Sequence, residues 1–255
     1  MRRHRSIWVA LALGTLFAVA SLRAASTLVG AGATFPYPLY QKWIAGFGER
    51  LPDATIEYRP IGSGAGIEAL RRGEVDFAAS DAPLSDQQVA AFPQKVRQIP
   101  TVVGGVVPIY HLEGEVRDLR FTPEMLAGIY LGTITRWSDP RLKAASSGIA
   151  LPGQDIVVVH RSDSSGTTYV WTDYLSKVSP AWRSSIGAGT EIAWPAGVGA
   201  MGNEGVAERV GNTRGSIGYV EFIYAVRAHL SYGAVRNASG RFVYADLTSL
   251  PAAAM

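Results

Sequence analysis

Three stretches of this chain place glycines or hydroxyls in a turn between a strand-like run and a helix-like run, and this repeated design constrains the fold most. They are Gly30-Ala31-Gly32-Ala33-Thr34-Phe35-Pro36, Ile61-Gly62-Ser63-Gly64-Ala65-Gly66 and Arg161-Ser162-Asp163-Ser164-Ser165-Gly166-Thr167-Thr168. At a helix start the first backbone N–H groups lack intrahelical partners and the macrodipole is positive, so such a turn suits an oxyanion. Glycine allows the backbone to approach closely, and Ser and Thr add donors without adding charge. Taken singly each turn reads as structural, Ser63 and Ser165 reading first as helix N-caps, with the same reading open to Asp163. The weight lies in the three together.

Elements placed around the turns follow from periodicity. Ile56 and Tyr58 alternate with polar neighbours, Asp76 to Ser80 and Ser216 to Val220 read as short strands, and Val102 to Tyr110 and Asp155 to Arg161 read as buried strands. Leu39, Trp43 and Phe47 recur every four residues, Ser85-Asp86-Gln87-Gln88 fits a capping box, Thr122-Pro123 opens a helix that Gly132 ends, and Thr167 to Lys177 reads as another helix. Trp43, Trp171 and Trp194 are expected as core or interface aromatics. Strands alternating with helices give an α/β class.

The length of 255 residues suits one compact domain or two lobes of roughly 100–150 residues. With 47% hydrophobic and 18% charged residues there is material for a core and no signature of disorder. The absence of Cys excludes a disulfide scaffold, thiolate catalysis, a Cys-ligated metal and a lipid-modified N-terminal Cys. The formal charge of +3 is misleading, because Arg2, Arg3, Arg5 and Arg23 lie in the first 25 positions, which hold no acid. The remaining 20 Lys and Arg face 21 Asp and Glu, and a near-neutral body offers no broad footprint for a nucleic acid.

Arg2, Arg3, His4 and Arg5 precede an uncharged, apolar run from Ser6 to Leu22, followed by the small residues Ala24, Ala25 and Ser26. That order is expected of a secretory signal peptide over residues 1–25, with a retained anchor as the alternative, and it implies export from the cytoplasm.

Among the turn residues, Arg161 offers one guanidinium that can bind a tetrahedral anion bidentately, and neutral donors can disperse the remaining charge. Asp163 is placed to orient that guanidinium. Asp81, at the end of a strand-like run, looks wrong for an anion site unless the guest carries a proton. Near neutral pH phosphate keeps at least one proton and sulfate none, so such an acceptor would select phosphate.

Six segments in order and spacing carry a family resemblance: Gly30 to Pro36, Ile61-Gly62-Ser63, Ala79-Ser80-Asp81-Ala82-Pro83-Leu84-Ser85, Pro100 to Val107, Arg161 to Thr167 and Gly218-Tyr219-Val220-Glu221. Together they resemble the phosphate-binding proteins of the bacterial high-affinity phosphate ABC transporter, the PstS type, over about Ser26 to Ala245. The resemblance implies a periplasmic-binding-protein fold of two α/β lobes joined by a hinge, with phosphate in the cleft between them. It implies Thr34, Phe35 and Ser63 as first-lobe contacts, Asp81 as the proton acceptor, Arg161 as the cation with Asp163 as its partner, and Ser165, Gly166 and Thr167 as second-lobe contacts.

On that basis residues 1–25 are the signal peptide, 26–100 the first lobe, and 101–255 the second lobe with a partial return segment. Members of this type usually continue beyond the position of Met255 to complete the first lobe, so the first lobe is expected to be incomplete, with exposed edges. A truncated product, a fragment and a short variant all fit. The implied function is periplasmic capture of inorganic phosphate by a monomer and its delivery to the permease and ATPase subunits, without a cofactor. The alternatives are a secreted phosphate-ester hydrolase, a phosphate-sensing or adhesive protein, and a non-transporting fragment. The hydrolase lacks support: there is no Gly-x-Ser-x-Gly elbow and no phosphate-loop Gly-Lys pair, and His4, His111, His160 and His229 are scattered without metal-ligand spacing. His160 is the one candidate base, and alternation along its strand points it away from Arg161.

Overall fold

The computed structural model describes residues 26–253 apart from residue 115; the expected signal segment, 1–25, lies outside them. The N-terminal part runs β1 (Ser26–Gly32), α1 (Tyr37–Arg50), β2 (Ala54–Arg59), α2 (Ser63–Arg71), β3 (Phe77–Ala79) and α3 (Asp86–Ala90). The chain continues through β4 (Val106–His111), β5 (Arg120–Phe121), α4 (Pro123–Tyr130), α5 (Pro140–Ala145), β6 (Val157–Arg161), α6 (Gly166–Val178) and α7 (Pro180–Ser185). It ends with β7 (Val198–Ala200), α8 (Gly202–Asn212), β8 (Ser216–Glu221), α9 (Phe222–Arg227), β9 (Ser231–Tyr232), β10 (Ala234–Arg236), β11 (Phe242–Val243) and α10 (Ser249–Ala253).

The first three strands form a parallel sheet in the order β2-β1-β3. Burial along β2 alternates residue by residue, as Ile56 and Tyr58 predict. Helix α2 lies directly on β1: a Cβ on Gly66 would stand 2.3 Å from the Gly32 Cα, so this backbone-to-backbone contact needs glycine. A separate five-stranded sheet, β7-β6-β8-β4-β9, starts only at Val106, and β5, β10 and β11 make a small third sheet.

Helix boundaries follow the caps. Ser85 and Gln88 make both arms of the capping box, and Thr122 caps α4 at the Met125 N–H with Pro123 in its first turn. The Thr167–Lys177 reading is extended by one residue at each end.

Two expectations are corrected. The strand read from Val102 begins at Val106, because its partner β8 ends at Glu221, paired with Val106, and residues 102–105 have no ladder to join. Of the core-or-interface reading, Trp43 does not keep the core alternative: it is 49% exposed. Helix α1 packs on a sheet only three strands wide, and Trp43 turns outward to stack on Tyr40 at 5.6 Å. Trp171 is buried and stacks on Tyr219 at 5.4 Å, and Trp194 is half-buried against the same ring.

The core is uneven. Around the large sheet Trp137, Trp182, Tyr110, Tyr130, Leu126 and Leu175 are fully buried, and the Trp137 indole donates to the Gly215 carbonyl at 2.9 Å. The small sheet gathers only Ala31, Ala69 and Val75 with Val29 and Leu70 beside them. Among the described residues β2 and β3 are the edge strands of this sheet. Beside β3 lies an open groove of about 710 Å³ lined by Phe77, Leu70, Phe92, Ile99 and Val102. Leu175→Ala is expected to cost about 2–5 kcal/mol and Trp43→Ala about 1 kcal/mol or less, read by urea unfolding; equal losses would contradict this division.

Candidate functional site

The three turns converge. Thr34 follows β1, Ser63 opens α2, Asp81 follows β3, Arg161 ends β6, and Ser165, Gly166 and Thr167 form the start of α6. A residue that carried no signal in the sequence joins them: Asn203, fully buried in the first turn of α8. Its Nδ2 donates to Thr34 Oγ1 at 2.7 Å and to Thr167 Oγ1 at 3.2 Å, while its Oδ1 accepts the Glu221 N–H at 2.9 Å. The Ser63 Oγ accepts the Gly166 N–H at 3.0 Å, joining the two parts of the molecule, and the Gly64 N–H donates to the Ser164 carbonyl at 3.1 Å. A Cβ on Gly166 would fall 2.5 Å from that Ser63 oxygen and 2.7 Å from the Asp81 Cβ, so only glycine admits this approach.

Counting hydrogens gives the site a direction. A hydroxyl has one hydrogen and two lone pairs. Thr34 Oγ1 accepts from both the Asn203 Nδ2 and, at 3.3 Å, the Asn203 N–H; Ser63 Oγ accepts from Gly166 and, at 3.4 Å, from the Asp81 N–H. Both oxygens are saturated as acceptors, and their own hydrogens are left to donate. Thr167 Oγ1 donates to Asp81 Oδ2 at 3.1 Å. Ser165 is fully buried and caps α6 at the Thr168 N–H, so the N-cap reading holds for it. It does not hold for Ser63, whose hydroxyl makes no capping bond, or for Asp163. Phe35 is half-buried, its ring against the Gly104 backbone.

The charges are few and confined. The Arg161 side chain is 1% exposed. Its Nε donates to Asp163 Oδ1 at 2.7 Å and its Nη2 to Asp163 Oδ2. Its Nη1, buried, has no hydrogen-bond partner among the described residues. Burial opposes the Asp163 carboxylate, yet the Arg161 hydrogen bonds and charge, with the Gly202 N–H at 3.0 Å, hold its pKa below the usual range. Asp81 is pushed up to about 6 by burial, against the lowering effects of Thr167 and Arg161. Glu221, at the end of β8, rises to about 7 through burial and the nearby Asp81, against the Ile223 and Phe222 N–H groups.

The surrounding scaffold is aromatic. Tyr219 accepts the Arg161 N–H at 3.2 Å and meets Thr168 Oγ1 at 2.7 Å, and Tyr224 donates to the Thr34 carbonyl at 2.6 Å. His160 turns away, stacked on Trp194 at 4.9 Å, as strand alternation requires. The segment Gly218 to Glu221 stood out in the sequence, but the separate roles of Tyr219 and Glu221 did not.

Residues 18–255 match the family model of a PBP superfamily domain. The phosphate-binding protein PstS of Pasteurella multocida is 42% identical over 247 residues, 96% of this chain and 71% of that protein. The phosphate-binding protein PstS of Xylella fastidiosa (strain Temecula1) is 44% identical over 226 residues, 88% of this chain and 61% of that protein. The chain belongs to the PstS family. Its fold is also that of a putative phosphate ABC transporter substrate-binding protein from Clostridium perfringens, solved with bound phosphate, at a TM-score of 0.64 and 23% identity over 82% of this chain and 76% of that one. The periplasmic-binding-protein architecture expected from the sequence is therefore the one observed.

In this PstS-family chain the raised pKa of Asp81 has a consequence for stability. Folding favours the protonated carboxyl, so the group costs stability as pH rises through the interval from 3.8 to about 6. In phosphate-free buffer Asp81→Asn is expected to exceed the parent by about 2–3 kcal/mol at pH 8. The advantage should disappear at pH 4, and urea unfolding at the two pH values checks both.

Proposed function

We propose that this chain is a periplasmic receptor that captures inorganic phosphate in the cleft between its lobes and hands it to an ABC-type permease and its ATPase. The observation that carries the reading is the buried Arg161 Nη1, which has no protein partner although a buried guanidinium N–H is costly to leave unpaired. An anion oxygen completes it. Asp163 takes the other face of the guanidinium, so the pair adds little net charge and the guest's charge is met by neutral donors.

In this reading Thr34, Ser63 and Ser165 supply hydroxyls, the backbones of Phe35 and Thr167 supply N–H groups from turns that open helices α1 and α6, and the Gly166 N–H exchanges its Ser63 acceptor for the anion when the cleft fills. Asp81 accepts the proton that phosphate keeps and sulfate lacks, leaving sulfate to face an unpaired carboxylate oxygen. Residues 26–100 and 101–253 act as the two lobes, and a ligand bound by both favours the closed state. The reading takes residues 1–25 as the export signal and the receptor as a monomer.

Binding without turnover is supported by the names of the curated relatives, which are binding proteins, and by the position of His160 against Trp194 rather than beside the hydroxyls. Titration calorimetry of the purified chain is expected to show one phosphate site and no sulfate binding. Arg161→Met is expected to weaken phosphate binding by about 2–5 kcal/mol, and Asp81→Asn to admit sulfate. Equal heats from the two anions on the parent chain would defeat the role of Asp81. Release of inorganic phosphate from a phosphate ester would favour the hydrolase.

A further inference from the structure

We propose that Asn203 is a positioning residue that sets the donor direction of the cleft hydroxyls, making Thr34 an obligatory hydrogen-bond donor to the bound anion. The inference rests on the phosphate reading and deepens it. Asn203 comes from α8, outside the three turns, and touches both lobes at once.

The amide's orientation is fixed by its neighbours. Its Oδ1 lies 2.9 Å from the Glu221 N–H, a group that can only donate, so the oxygen must face β8 and the NH2 must face the two threonines. The two hydrogens on Nδ2 then go to Thr34 Oγ1 and Thr167 Oγ1. Each hydroxyl, having accepted, has its single hydrogen to place elsewhere. Thr167 sends its hydrogen to Asp81 Oδ2, and Thr34, which accepts the Asn203 N–H as well, has its hydrogen left for the anion.

One backbone N–H of β8 thus fixes a relay of directions through α8 to the turn after β1, to α6 and to Asp81. Because Thr167 occupies Oδ2, the other oxygen of Asp81 is the one available to take the ligand's proton. Without the amide, Thr34 and Thr167 could accept as easily as donate, and the site would lose its fixed count of hydrogens offered and received. The charged groups near this relay are Asp81, Glu221, Arg161 and Asp163; among the described residues their side chains hydrogen-bond elsewhere, and Glu221 meets the Asn203 amide only through its backbone N–H.

Two variants separate direction from charge and from folding. Asn203→Leu keeps the bulk and removes the donors. Asn203→Asp reverses the polarity, placing an acceptor where Nδ2 stood, and on protonation regains one O–H donor. The probe is inorganic phosphate, titrated calorimetrically at pH 8 and pH 5, with urea unfolding of each unliganded chain alongside.

The expected result is that Asn203→Leu binds at least 10-fold more weakly than the parent at both pH values. Asn203→Asp should bind at least 100-fold more weakly at pH 8 and recover a large part of that loss at pH 5, a pH dependence the parent does not share. Should Asn203→Leu fail to fold, the pH recovery of Asn203→Asp decides alone. The inference is overturned if Asn203→Leu binds within 3-fold of the parent, or if Asn203→Asp shows the parent's pH profile. A parent chain that binds no phosphate would instead remove the functional reading on which this inference stands.

Discussion

A guanidinium taken almost wholly out of water is the constraint around which this molecule is arranged. Burying a cation is tolerable only with a carboxylate in good geometry, and Asp163, two residues along the same turn, provides it through two hydrogen bonds while taking a third from the Gly202 N–H. Once Arg161 is neutralised in this way the cleft needs no other cation. Its remaining polarity comes from hydroxyls and amides, which stay neutral at any physiological pH and can be pointed by their partners. Asp81 and Glu221, both pushed upward by burial, show how little the interior favours further negative charge.

The same polar groups join the three-stranded sheet to the part of the molecule built on the five-stranded sheet. The buried apolar clusters lie on one side or the other, whereas the hydrogen bonds between the two sides include Ser63 with Gly166, Gly64 with Ser164, Asp81 with Thr167, Thr34 with Asn203, and Tyr224 with the Thr34 carbonyl. Hydrogen bonds of this kind exchange readily with water or with a ligand, so such a seam holds a defined geometry without the large free energy of a buried apolar interface.

Much of this was legible in the sequence because the decisive residues sit in short, contiguous turns. Arg161, Asp163 and Ser165 lie within five positions, and the glycines that permit close approach announce themselves. The α/β class, the capped starts of α3 and α4, and the outward placement of His160 also followed from local pattern. Asn203 was not legible, because one Asn in the first turn of a helix has many uses and its partners lie 36 and 169 positions away. Trp43 and the segment 102–105 were misread for a related reason: periodicity reports which residues could be buried or paired, and only the width of a sheet decides which of them are.

The thin apolar cluster beneath the three-stranded sheet bears on how the two lobes respond to thermal agitation. With only Ala31, Ala69 and Val75 in its buried apolar cluster, the N-terminal sheet has little cohesion of its own, and its backbone amides depend on the polar seam for protection. Occupancy of the cleft should therefore be felt far from the ligand, as slower solvent exchange throughout β1 and β2, while the amides around Trp137 and Trp182 stay indifferent to whether the cleft is filled.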